Sequence, residues 1–139
     1  MENNLALAGD MPAILALEKI LYAGIQVEMP VKHHHIEGVY CRELFIPAGT
    51  ILTGKIHNKE SISILAQGTI AITNGTDSRV INAPHVMVDK PGIKRLGHSI
   101  TDCVFINVLR TDETEIDAIE KELVSDTFEQ YEQQRIGQL

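Results

Sequence analysis

The sequence predicts an all-β barrel or sandwich, preceded by one short helix and followed by others. Three observations predict it. Short runs rich in Val, Ile, Leu and Thr recur between Gly38 and Leu109, and each is bounded by Gly, Pro, Asn or Asp. No helical stripe interrupts them. Helical spacing occurs only at the ends, at Ile14, Leu17, Ile20 and Leu21 and again at Ile116, Ile119 and Leu123. The 139 residues suit one domain, 1–139, divided into a helical arm (1–24), a barrel (25–110) and C-terminal helices (111–139). Hydrophobic residues make up 44% and aromatics only 4%, with no Trp, so the core must be aliphatic.

Residues 1–9 read as a loose leader. Asp10 is placed to cap a helix opening at Met11-Pro12, where proline is tolerated in the first turn. Gly24 would stop this helix, and its apolar stripe must pack on the barrel or on a second subunit. Gly24 to Pro30 reads as an edge strand, and His33, His34 and His35 as a polar loop. As a metal site the three histidines are weak, because strand neighbours face opposite ways and only His33 and His35 could share an ion.

Gly38 to Ile46 is a strand and Pro47-Ala48-Gly49 a turn. Thr50 to His57 follows as one strand, with Ile51, Thr53, Lys55 and His57 on one face. Ser61 to Ala66 and Thr69 to Thr73 form a hairpin about Gln67-Gly68, and Asn74-Gly75 signals a tight turn. Ser78 to Ala83, His85 to Asp89 and Cys103 to Leu109 complete the strands. Asp112 with Glu115 reads as a capping box, and Asp126 with Glu129 caps a further helix to about Arg135 that sets Phe128 and Tyr131 on one face.

Charge narrows the function classes. The net charge is −7, and the acid is concentrated between Asp112 and Glu132, where Lys121 is the one basic residue. Nucleic-acid binding through phosphate neutralisation needs the opposite balance. Cys41 and Cys103 sit in apolar runs, at no metal-ligand spacing, and read as reduced thiols. The N-terminal residues lack a basic stretch followed by a long apolar run, and no segment reaches the ~20 apolar residues of a membrane span. The expectation is a cytoplasmic protein with no membrane partner.

The run PAGT-x3-G-x-I-H from Pro47 to His57, a hairpin glycine at Gly68 and a Pro91-Gly92 turn resemble the cupin superfamily. The segment GVYCRELFIPAGTILTGKIH, the segment PGIKR and the TDETE stretch are similar to those of small single-domain cupin-type proteins encoded by tailed bacteriophages. The resemblance covers about Val31 to Ser125 and implies a jelly-roll β-barrel with a pocket.

Metal-binding cupins carry G-x5-H-x-H-x3,4-E and a second motif with a further His. Aligned on Gly49, Lys55 takes the first His position and His57 the second, while the acidic position falls on Ser61 or Ile62. Aligned on Pro91-Gly92, Arg95 takes the last His position. Two cations in a four-ligand set repel a divalent ion, so the resemblance implies no metal and no cofactor. Lys55, His57 and Arg95 suit an anion instead, a nucleotide- or sugar-phosphate-like ligand. Lys94 alternates with Arg95 and should face out unless the Pro-Gly turn bends the strand; His98 and Tyr40 are further candidates for the lining. The competing reading pairs Lys55 and Arg95 internally with Glu43 or Glu60.

No nucleophile elbow, phosphate loop or paired-carboxylate spacing is visible, so the sequence favours binding over turnover. The expected function is a metal-free cupin that binds a small anion, an accessory protein of a phage or prophage acting as a homodimer or larger homo-oligomer. One alternative is an isomerase or hydrolase with His57 as general base, its pKa lowered by Lys55 beside it. The other is a structural protein that assembles through its terminal helices.

Overall fold

A computed structural model of the chain describes residues 11–137; the leader and the Asp10 cap lie outside the described residues. Helix α1 (Met11–Ala23) opens where expected. The strands that follow are β1 (Val31–Ile36), β2 (Val39–Ile46), β3 (Ile51–Thr53), β4 (Ile56–His57), β5 (Ser61–Gln67) and β6 (Thr69–Thr73). Then come β7 (Ser78–Asn82), β8 (His85–Asp89), β9 (Leu96–Ser99) and β10 (Cys103–Arg110). Helix α2 (Ile116–Leu123), β11 (Val124–Ser125) and helix α3 (Phe128–Gly137) complete the chain.

The strands form a five-stranded sheet, β1-β2-β10-β5-β8, a four-stranded sheet, β3-β9-β6-β7, and the small pair β11-β4. Every pairing is antiparallel. Alternation along β2, β5 and β8 sends Leu44, Ile46, Leu65 and Met87 inward, where they meet Ile70, Ile72 and Ile81 of the four-stranded sheet. On the outer face of that second sheet, Ile14 of α1 buries itself against Ala71 and Leu96. Ile119 and Leu123 of α2 pack on Tyr40 and Leu109 at one end of the barrel.

Several sequence expectations change. Gly24 to Pro30 forms no strand, whereas the histidine tract does, as part of β1. Register with β2 explains this, since Lys32 stands opposite Glu43, His33 opposite Arg42 and His35 opposite Tyr40. A two-residue Glu37-Gly38 turn closes the hairpin. Thr50 to His57 is not one strand: it breaks at Gly54-Lys55, and its halves join different sheets. Asn74-Gly75 opens a four-residue turn, in which the Asn74 side chain accepts the Thr76 and Asp77 amides.

The caps also shift. Glu115 is the N-cap of α2 and makes no side-chain cap bond, so the Asp112 box does not form. At α3 the Gln130 amide donates to Thr127 Oγ1, and the Gln130 side chain accepts the Asp126 amide. Phe128 and Tyr131 are both half-buried, on the shared face the spacing predicts.

Gly68 shows how closely the hairpin is held. Its φ is +92°, and a Cβ there would lie 2.2 Å from the Asp102 carbonyl oxygen. Gly38 also has positive φ, +79°, but open space around it. Gly68→Ala should therefore destabilise by more than about 3 kcal/mol and Gly38→Ala by only about 1 kcal/mol. Urea midpoints measure both, and equal losses would contradict the close approach at Gly68.

Candidate ligand-binding site

Between the sheets lies a cavity of about 390 Å³, lined by strands β2, β3 and β10 and closed over by Ile119, Leu123 and Val124. A second space of about 110 Å³ adjoins it, sharing Arg42, Lys55, His57 and Asn107, and reaches Ile46, Ile70 and Phe105 in the core. Here β2 and β10 run on toward α2, where Tyr40 and Leu109 meet Ile119 and Leu123, while β3 ends at Thr53.

The break sets what faces inward. The Gly54 amide donates to the Arg95 carbonyl and the His57 amide to the Ile93 carbonyl, each at 3.0 Å. Leu52 and His57 both line the cavity although their separation is odd. Alternation across one continuous strand forbids that; an irregular Gly54-Lys55 step permits it.

A buried polar network backs the cavity. Asn107 Nδ2 donates to Ser63 Oγ at 2.7 Å, and Ser63 Oγ donates to Asp89. Arg95 donates to the other oxygen of Asp89, whose side chain is fully buried. His57 Nδ1 lies 3.2 Å from Ser61 Oγ and 3.9 Å from Asp89. Burial alone would raise the Asp89 pKa, but hydrogen bonds from Arg95 and Ser63, with the Arg95 charge, hold the carboxyl below its ordinary 3.8. Burial pushes His57 below 6.5, Arg95 adds to this and Asp89 opposes it, so the imidazole is neutral at pH 7.

The residues expected from sequence fall into two groups. Lys55, His57 and Tyr40 line the larger space, and Arg95 lines the smaller one with its charge committed to Asp89. Lys55 pairs at 3.1 Å with Asp126 at the start of the C-terminal segment. Neither Glu43 nor Glu60 is the partner of Lys55 or Arg95: Glu43 meets Lys32 and His34, and Glu60 meets Lys90.

Lys94 and His98 do not line the cavity. Lys94 turns away from Arg95, as alternation predicts, but is buried under α1 rather than exposed, 2.7 Å from Glu18 and 2.9 Å from the Gly54 carbonyl. His98 is buried on β9 opposite Ile51 and Ala71, residues that pack against α1. Tyr40 engages the histidine tract: its hydroxyl lies 2.6 Å from His33 Nδ1, and the His35 ring tilts against it.

Sequence reasoning missed Arg42, Asn107 and Asp89. Arg42 stands between His33 on β1 and Asn107 on β10, and lines both spaces. Its backbone belongs to the ladders with β1 and β10, but among the described residues its side chain has no ion-pair or hydrogen-bond partner. The signal was available, because Arg42 shares the two-residue period of Tyr40, Leu44 and Ile46.

No family model matches the chain, and no curated protein does. Solved structures do. An RmlC-like cupin from Shewanella frigidimarina superimposes with a TM-score of 0.55 at 11% identity, covering 68% of this chain and 85% of that one. KdgF from Halomonas sp. gives 0.54 at 14% identity over 68% and 88%. An RmlC-like cupin with a double-stranded β-helix fold from Methanocaldococcus jannaschii gives 0.51 at 17% over 61% and 82%. The fold is the cupin jelly roll. At these identities the likeness concerns fold alone.

The metal of metal-binding cupins does not fit the residues that stand here. Lys55 and Arg95 stand as cations beside His57, and Asp89 is committed to Arg95 and Ser63. Among the described residues no three His, Cys, Asp or Glu side chains converge in a way that could hold an ion. No helix among them is long and apolar enough to cross a membrane.

Two predictions follow from this geometry. His57 has its folded pKa below its unfolded 6.5, so stability present above pH 6.5 is lost as pH falls toward the folded value; Asp89 adds a further loss below 3.8. Urea denaturation across pH should show both steps, with the upper one absent in His57→Gln. Lys94→Ala strands Glu18 beneath α1 and should cost about 3 kcal/mol. A loss near zero would show that the pair is not buried as described.

Proposed function

We propose that this chain is a small-molecule-binding cupin that holds an organic anion in its barrel, with Arg42, Lys55 and His57 as the polar contacts. Arg42 carries this reading. A half-buried guanidinium that lines a cavity without a carboxylate partner among the described residues is set up for an anion from outside. The cavity volume lies within the ~300–1,000 Å³ usual for ligand pockets. Arg95, expected from sequence to touch the ligand, serves instead to hold Asp89.

The likeness of GVYCRELFIPAGTILTGKIH to phage-encoded cupin-type proteins supports an accessory role in a phage or prophage, in the host cytoplasm. Assembly through the terminal helices is less favoured, because Ile14, Ile119 and Leu123 turn their apolar faces onto their own barrel. Turnover with His57 as general base is the second reading. It rests on a neutral imidazole anchored at Nδ1 by Ser61, which leaves Nε2 for a ligand.

A thermal-shift panel of carboxylates, sugar phosphates and nucleotides tests binding. At a hundred times Kd an anion adds about 2.7 kcal/mol of stability, a shift of several degrees. Arg42→Ala combined with Lys55→Ala should abolish the shift, whereas Lys94→Ala should keep it. An equal shift in the double variant would remove the anion site. Conversion of the bound compound that stops in His57→Gln would establish the enzymatic reading.

A further inference from the structure

The charges and hydrogen bonds around the cavity narrow the class of anion. Of the three cations that line the two spaces, Lys55 is matched by Asp126 and Arg95 by Asp89. Arg42 alone has no counter-charge paired with it among the described residues, and the one acid in the lining is Glu120. Glu120, exposed on α2, offsets part of the Arg42 charge, so beyond its paired groups the site offers at most one positive charge, and the acid at its edge adds to the repulsion of a dianion. A phosphate monoester brings nearly two negative charges at neutral pH. Its second charge would enter a cavity walled by Leu44, Leu52, Leu109 and Leu123 with nothing to balance it.

Hydrogen-bonding capacity points the same way. The Tyr40 hydroxyl is engaged by His33, Asn107 Nδ2 by Ser63, and the Thr53 hydroxyl by Glu18. With those three groups engaged, a sugar ring would depend on His57, Lys55 and Glu120 for several hydroxyls, at a cost for each one left unpaired. The adjoining space, with Ile46, Ile70, Ile72 and Phe105, takes hydrocarbon without such a cost.

Resting on the anion-binding reading above, we infer that the ligand is an organic monocarboxylate with an apolar body. Its carboxylate forms a bidentate pair with the Arg42 guanidinium, and its hydrocarbon lies against the aliphatic wall and the inner space. His57 and Asn107, beside Arg42 in both spaces, bound the polar end. The nucleotide- or sugar-phosphate-like ligand expected from sequence is the class that this arrangement disfavours.

Titration calorimetry at pH 7.5 tests the inference with hexanoate and phenylacetate, their neutral amides, glucose 1-phosphate and thymidine monophosphate. Both carboxylates should bind at least about tenfold more tightly than their amides and than either phosphate. Arg42→Gln should remove that advantage over the amide while keeping the cooperative urea transition of the unaltered protein, which separates a lost charge contact from a lost fold. Asp126→Asn, at an exposed position, releases Lys55 and should tighten the phosphates more than hexanoate.

A phosphate that binds more tightly than either carboxylate overturns the monocarboxylate and leaves the anion site standing. Amides that bind as well as acids overturn both. So does the absence of binding by every probe at millimolar concentration.

Discussion

Asp89 is a carboxylate with no solvent exposure, and a buried charge of that kind persists only where other groups compensate it. Arg95 and Ser63 do so directly, Asn107 supports Ser63, and His57 stands close by. This one requirement reaches much of the site. It commits Arg95, so the cation that strand position suggests for a ligand has a structural task. With Arg95 committed in this way, Arg42 is the one cation of the two spaces without a carboxylate paired to it among the described residues.

A second constraint supports the first. The chain between Gly54 and His57 leaves one sheet and joins another, and its amides are satisfied by the carbonyls of Ile93 and Arg95. The Gly92 amide in turn donates to the His57 carbonyl at 2.7 Å. Tyr131 of α3 packs on Gly92, where φ is +87° and a Cβ would lie 3.1 Å from its hydroxyl. The C-terminal segment thus bears on the site from two directions, through Tyr131 on this turn and through Asp126 on Lys55. An element that sequence treats as an appendage helps to position both the turn and the charge beside His57.

The strands with strong β composition were legible, among them Thr69 to Thr73 and His85 to Asp89, whose bounds agree residue for residue. The histidine tract was not, because its strand character comes from pairing with β2 rather than from its own residues. Of the residues singled out in the sequence, Lys55 and His57 by motif position and Tyr40 as lining, all three border the larger cavity. Lys94 was misplaced because its side chain meets Glu18 of α1, 76 residues away in the chain, and His98 because it lies on β9 opposite Ile51 and Ala71, which pack against α1. Arg42 was passed over although its period was readable, since no motif marks it.

The sequence by itself determined the barrel, its helical ends, the Gly and Pro turns, and the presence of cations at Lys55 and Arg95. These are local properties: turn residues, two-residue alternation and side-chain type act over a few positions. Only the tertiary structure decided which cations are already paired. Arg95 meets Asp89 six residues away, Lys94 meets Glu18 across the chain, Lys55 meets Asp126, and Arg42 meets no carboxylate among the described residues. Charge compensation depends on distance in space, and strand pairing sets that distance.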